Sequence, residues 1–301
     1  MESEHRKYPI ALSNGIRQLV YLAISLILIS QTPSPASAAP AKTPKKSFVV
    51  VLDPGHGGTD FGAIHKEGAK RTSEKDLALL LAQETARQLR TKGLLVTLTR
   101  TKDEDMTLTN RTAMANKLGA DVFVSIHLNA TPIRHESEAS GIETYILNNA
   151  TDATSKRLAY LENSENPVLA KTNPADENDS APKGTDVALI LKDLRLDANL
   201  PESKRLACSI QGRLVHIVSA RDQGAKDRGV RQALFYVLLG ADMPSVLVEA
   251  GFMGNPRDRQ RVLSVSGRKS IALSIATAIE EFRTTRGTPF ASSLLSRCKV
   301  H

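Results

Sequence analysis

Three short apolar runs constrain this chain most, because each leads directly to a side chain that can do chemistry. Residues 48–52 (F-V-V-V-L) run into His56, residues 121–126 (D-V-F-V-S-I) into His127, and residues 244–248 (P-S-V-L-V) into Glu249. Short, β-branched runs of this kind read as strands buried in a sheet. Helical patterns lie between them. Residues 74–92 place Leu77, Leu80, Leu81 and Leu89 on one face, with Ser73 and Asp76 spaced as a capping box and Gly93 where a helix-ending glycine belongs. Further strands are predicted at 95–99, 120–126, 141–147, 233–237 and 244–248, and further helices at 108–118, 153–162, 186–196, 201–220 and 267–283. Alternation of this kind predicts one α/β domain built on a mixed, mostly parallel sheet with helices on both faces.

The ends read differently. Arg6, Lys7 and Arg17 precede or flank an apolar run over 19–29, and Ala36-Ser37-Ala38 supplies small residues for cleavage, so 1–38 reads as a secretory signal peptide. The apolar run is shorter than the roughly 20 residues of a membrane span, so an uncleaved anchor is the weaker alternative and no stable membrane insertion is expected after cleavage. Residues 39–46 form a polar linker, 47–285 the folded domain and 286–301 a C-terminal tail. The formal charge is +8, and the signal holds three basic and two acidic residues, so 8 − 1 leaves +7. A basic exported protein suits an anionic polymer, and the chain lacks the basic runs with interleaved aromatics of a nucleic-acid surface. The two cysteines, Cys208 in a helical stretch and Cys298 in the tail, are expected to stay unpaired. Without C-x-x-C spacing they also exclude a Cys-rich zinc site.

Open α/β sheets bind ligands outside the carboxyl ends of their strands, which is where His56, His127 and Glu249 fall. Glu74 opens the helix after the first strand and returns to that edge. Two imidazoles and one of the two carboxylates, Glu74 or Glu249, would make a three-ligand zinc site, with the other carboxylate beside it to take a proton from water. Each residue also has a plain structural role open to it: a glycine turn for His56, helix-dipole complement for Glu74, a strand-end hydrogen bond for His127, an ion pair with Arg257 for Glu249. Joint placement favours chemistry. The other histidines are poorer candidates: His5 lies in the export segment, His65 and His135 in loops, His216 in a helix, and His301 at the terminus.

Five segments, in order, carry a resemblance to a known family. They are V-V-L-D-P-G-H-G-G (50–58), S-E-K-D-L (73–77), T-R-T-K-D-E-D-M-T-L-T-N-R-T-A-M-A-N (99–116), V-S-I-H-L-N-A (124–130) and P-S-V-L-V-E-A-G-F-M-G-N (244–255). The chain resembles the zinc-dependent N-acetylmuramoyl-L-alanine amidases of the AmiC type from about residue 47 to 282. The resemblance implies one Zn²⁺ per chain on His56, Glu74 and His127, with Glu249 as the catalytic carboxylate. It implies hydrolysis of the amide between the lactyl group of N-acetylmuramic acid and L-alanine in peptidoglycan, in wall remodelling or daughter-cell separation, after export to the periplasm. Gly254 departs from the family's usual Ser or Thr, beside the site and not at a ligand.

Residues 149–200 interrupt the pattern as a partly helical, partly disordered insertion, with 162–186 too polar to join a core and Val187, Ile190, Leu191 and Leu194 on one helix face. It resembles the helical insertion with which some AmiC-type amidases cover their zinc until an activator, here of the LytM-domain type, moves it. Glu162 or Glu165 would then occupy the zinc's open position. Two other readings stay open at this point: a zinc peptidase cutting another stem-peptide bond, and a non-catalytic wall-binding module.

Overall fold

Valine, isoleucine and leucine at consecutive positions let each central strand bury both faces, and the strands pair accordingly. The computed structural model describes residues 47–130, 139–164, 183–221, 226–287, 298, 300 and 301, with backbone only at 183–198 and 219–221. The predicted signal peptide and linker lie outside the described residues. Among the described residues eight strands form: β1 (Val49–Pro54), β2 (Ile64–Glu67), β3 (Lys70–Ser73), β4 (Leu95–Leu98), β5 (Val122–Asn129), β6 (Ile142–Leu147), β7 (Asp227–Ala233) and β8 (Ser245–Phe252). The helices are α1 (Glu74–Thr91), α2 (Leu108–Lys117), α3 (Ala153–Asn163), α4 (Lys183–Arg221), α5 (Tyr236–Leu239), α6 (Pro256–Leu263) and α7 (Val265–Thr285).

Six strands make one sheet in the order β4-β1-β5-β8-β6-β7. All neighbours are parallel except β6 and β8, so the sheet is mixed and mostly parallel. On one face Val50, Leu52, Val124 and Ile126 pack with residues of α1, α4 and α7. On the other, Val51, Phe123, Tyr145 and Leu247 pack with Leu158 of α3 and Val237 of α5. The alternation Val50, Val51, Leu52 thus feeds two separate cores.

Several predicted elements need correction. Strand 233–237 does not form: β7 ends at Ala233 and Tyr236–Leu239 is helical. The two helices predicted at 186–196 and 201–220 are one helix, which runs through Pro201. His65 lies on the small β2–β3 hairpin and not in a loop. Leu80 is 40% exposed, while Ala78, Ala82 and Ala86 fill the packed face of α1. Ser73 makes no capping bond to the backbone; its hydroxyl pairs with the Asp76 carboxylate instead. The first amides of α1 are satisfied by the preceding loop, through Glu74 N to Ala63 O (2.8 Å) and Lys75 N to Phe61 O (3.3 Å).

The expectation of unpaired cysteines is also wrong. Cys208 and Cys298 form a disulfide, with Cα atoms 5.7 Å apart. The reason is that the chain end is anchored: Val300 bridges to Val230 of β7, and His301 N donates to Val230 O at 2.9 Å. That anchor brings residue 298 against α4. The bridge spans 90 residues, for which loop-closure entropy gives about 2–5 kcal/mol of stability. Reduction is therefore expected to lower Tm by roughly 5–15 °C. An unchanged Tm under reductant, with both thiols titrated, would show the crosslink to be energetically idle.

Candidate metal centre and active site

The turn after β1 is rigid because buried cations hold its carbonyls. Arg111 donates to Pro54 O (2.8 Å) and His56 O (2.9 Å), and Arg100 to Pro54 O (3.1 Å) and Gly55 O (2.7 Å). Arg111 is itself held by Asp53 at 2.9 Å, which also accepts from Thr99 and Ser125. Burial would raise the Asp53 carboxyl, but Arg111 and these hydroxyls hold it below its ordinary range. The brace lets His56 adopt a φ of +59°, which costs a non-glycine residue about 1–2 kcal/mol. Gly55 has no such freedom to spare: a Cβ there would stand 2.3 Å from the His127 ring. Even an alanine side chain there would therefore displace the His127 ring.

His127 follows from β5, whose register with β8 shifts between His127 and Asn129. Such a bulge re-aims a side chain at a sheet edge. Glu74, at the first position of α1, reaches between both rings. Its Oε1 lies 3.1 Å from His56 Nε2 and 3.1 Å from His127 Nδ1, and accepts from Leu128 N at 2.9 Å. Its Oε2 accepts from Ala63 N at 2.9 Å. Glu162 of α3 completes the group, with Oε2 at 3.4 Å from His56 Nε2 and 3.1 Å from His127 Nδ1. One donor atom from each of these four residues lies within 4.8 Å of the others. His56 Nδ1 is hydrogen-bonded to Asp60, the arrangement that orients a ligating imidazole from behind.

The electrostatics are those of a cation site. Burial alone would lower both imidazoles, yet the Glu74 and Glu162 carboxylates raise His56, and Glu162 and Glu74 push His127 up to about 10. Glu74 goes the other way: burial raises it, but His56 and His127 carry it below the carboxylate range. Carboxylates that bind protons this strongly on their neighbours would bind a divalent cation by the same attraction. His56 Nε2 is buried and makes no hydrogen bond. Two nitrogen and two oxygen donors around one point fit Zn²⁺ in kind and number.

Glu249 stands outside that four-donor group. It is 0% exposed, and neither carboxylate oxygen has a hydrogen-bond partner. It pairs in register with His127 on one side and Glu143 on the other. Burial raises its carboxyl well above the ordinary range; His127 opposes this, and the Glu74, Glu162 and Glu143 carboxylates add to it. Of the two arrangements open from strand position, the geometry puts Glu74 among the donors and leaves Glu249 beside them. Glu165 and His135 lie outside the described residues.

Sequence reading missed the supporting residues. Arg100 and Arg111 sit in the 99–116 segment without a role there, and Asp60 lies two residues beyond the 50–58 segment. Glu143 was missed as well: it is fully buried, accepts from Tyr145 OH at 2.5 Å and pairs with Arg228. Its only signal was an acid inside an otherwise apolar strand.

Among the described residues, little space opens onto the group. The cavity lined by His56, Arg111, His127, Glu162, Asn163 and Val237 holds about 10 Å³, room for at most one water. α3 is fastened at both ends: Asp152 pairs with Arg231 at 2.9 Å, Asn163 Nδ2 donates to Leu234 O (2.7 Å), and Tyr236 N donates to Asn163 Oδ1 (2.8 Å).

A buried N/O donor group that could hold a metal ion, with an unpaired acid beside it at the carboxyl edge of a mostly parallel sheet, is an arrangement suited to hydrolysis. Residues 50–281 match the N-acetylmuramoyl-L-alanine amidase family, and the chain belongs to it. It is 36% identical over 258 residues to the N-acetylmuramoyl-L-alanine amidase AmiC of Neisseria meningitidis, covering 84% of this chain and 56% of that protein. It is 31% identical over 259 residues to AmiA of Escherichia coli, covering 85% and 83%. The crystal structure of an N-acetylmuramoyl-L-alanine amidase from Clostridium difficile superposes with a TM-score of 0.58 at 28% identity, covering 81% of this chain and all of that one. The chain thus spans little more than half the length of the Neisseria relative.

Proposed function

We propose that this chain is a zinc amidase of exported wall metabolism, hydrolysing the bond between the lactyl group of N-acetylmuramic acid and L-alanine in peptidoglycan. The reading rests on one observation above others: a buried His56–Glu74–His127 group lies next to an orphaned carboxylate, Glu249. In this reading His56, Glu74 and His127 hold one Zn²⁺. When bound, the ion supplies Lewis acidity, polarising an amide carbonyl and acidifying water. Glu249 takes the proton of the attacking water on a carboxylate oxygen and returns it to the departing amine. Its burial suits this duty, since a carboxylate raised toward neutrality is a stronger base and a better proton donor afterwards. Asp60 fixes the ring of His56, and Arg111 fixes its backbone.

Glu162 acts as the internal block in this proposal, a fourth donor where water would enter. The two fastenings of α3 and the absence of room for a sugar–peptide support that role. Release then requires a partner, for which a LytM-domain protein is the proposed class, and the proposed compartment is the periplasm, reached through the 1–38 signal. Digestion of purified sacculi by zinc-loaded protein freed of the block tests the activity. Intact stem peptides with a new L-alanine amino terminus are expected. Shorter peptides would make it a stem-peptide peptidase, and binding without release a wall-binding module.

A further inference from the structure

A second concavity lies at the same carboxyl edge of the sheet. It is a groove of about 710 Å³ between the β2–β3 hairpin, the end of α4 and the α6–α7 corner, and no residue of the metal centre lines it. That volume falls within the usual range of ligand sites. Among the described residues, four cations, Lys70, Arg257, Arg259 and Arg261, line it with one acid, Glu67. Two of the four are structural: Arg259 donates to Met253 O at 2.7 Å, and Arg261 to Asp258 at 2.9 Å. Lys70 and Arg257 are exposed.

The groove is tied to the metal centre by chain geometry. Thr72 lines it, and Glu74 follows two residues later, about 7 Å along an extended chain. Pro256 lines its other wall, seven residues beyond Glu249. Asp258 fixes that wall by accepting from Gly141 N (2.9 Å) and Phe252 N (3.0 Å). A substrate whose scissile amide sits at the metal centre can therefore extend into the groove within a few residues.

The bond proposed for cleavage separates two chemistries. On one side is a glycan of neutral N-acetylated sugars; on the other is a short peptide bearing carboxylates. The two exposed cations, Lys70 and Arg257, favour the second. We infer that the groove between the hairpin and the α6–α7 corner is the subsite for the stem peptide, with Lys70 and Arg257 receiving its carboxylates. The inference rests on the amidase reading and adds to it a direction for the substrate: peptide toward α6, glycan away from it.

The test is a titration of the zinc-loaded full chain with the tetrapeptide L-Ala–γ-D-Glu–L-Lys–D-Ala, in free-acid and fully amidated forms. The free acid is expected to bind roughly tenfold tighter, and the K70E/R257E double variant to lose that preference, while a neutral N-acetylglucosamine tetramer leaves the groove empty. Both substitutions are at exposed positions, and an unchanged Tm checks the fold. Equal affinity for both peptide forms would overturn the inference, as would a double variant that binds like the parent. Inorganic polyphosphate competing as well as the peptide would also overturn it, assigning the groove to anions in general. Sacculus digestion by zinc-loaded protein freed of the Glu162 block through Asn163→Ala keeps the two readings apart. Amide cleavage with a KM indifferent to K70E/R257E removes the subsite and leaves the amidase; peptide binding through the groove without cleavage removes the amidase and leaves the peptide site.

Discussion

Replacing Glu249 with Gln is expected to leave the metal bound and to remove turnover by a factor of about 10²–10⁴. The shape is conserved, so packing around a fully buried side chain is undisturbed. Glu249 lies outside the four-donor group, so ligation by His56, Glu74 and His127 has no need of it. Zinc content per chain and kcat on sacculi, measured with the block released, check both halves. Loss of the metal together with activity would move Glu249 into the ligand set and end the division of roles.

The same variant has a second readout in metal-free protein. The Glu249 carboxyl is raised well above 4.5 by burial, so the folded chain holds this proton more tightly than the unfolded one. Its contribution is fully present below the unfolded value and is lost as pH rises through the folded one. Gln carries no proton to lose. Metal-free Glu249→Gln should therefore match the parent near pH 4 and exceed it at neutral pH, by about 1–3 kcal/mol for relief of a buried, unpartnered acceptor. Equal stability at both pH values would mean that the carboxylate is hydrated in the folded state.

The sheet and the four active-site candidates were legible because they obey short-range rules. An apolar β-branched run followed at once by His or Glu fixes both the strand and the edge where its last side chain emerges. Glu74 was legible for a related reason, since the helix it opens must start at that edge. What the pattern could not carry was pairing over long distance. The Cys208–Cys298 bridge depends on Val300 adding to β7, an event 70 residues away in sequence that no local composition announces. The brace of Arg100 and Arg111 is similar: arginines in a polar stretch read as solvated until Asp53 and three carbonyls are seen to converge on them. Strand 233–237 failed for a subtler reason. Leu234, Phe235 and Val237 have strand composition, but Phe235 and Val237 are buried by a turn of helix against the α3 side of the sheet, where tertiary packing outweighs β propensity.

Loosening α3 is expected to raise basal activity. Asn163→Ala removes two hydrogen bonds that pin the helix end to the 234–236 turn, at 2.7 and 2.8 Å. At about 1 kcal/mol each, the closed state loses roughly 2 kcal/mol, which multiplies a small open population by about 30. Glu162 itself stays intact in this variant, so any gain comes from release and not from altered ligation. Deleting 151–198 should give a larger rise, because it also removes the carboxylate and the burial of Leu158 and Ala159. A partner can shift the same equilibrium only by binding the open form more tightly than the closed one. It follows that Asn163→Ala should need less of that partner for half-maximal activity, by the same factor as its basal gain until the open form dominates. Folded, zinc-loaded variants whose basal rates are unchanged or lower would reduce α3 to a packing element and leave Glu162 as a fourth structural donor.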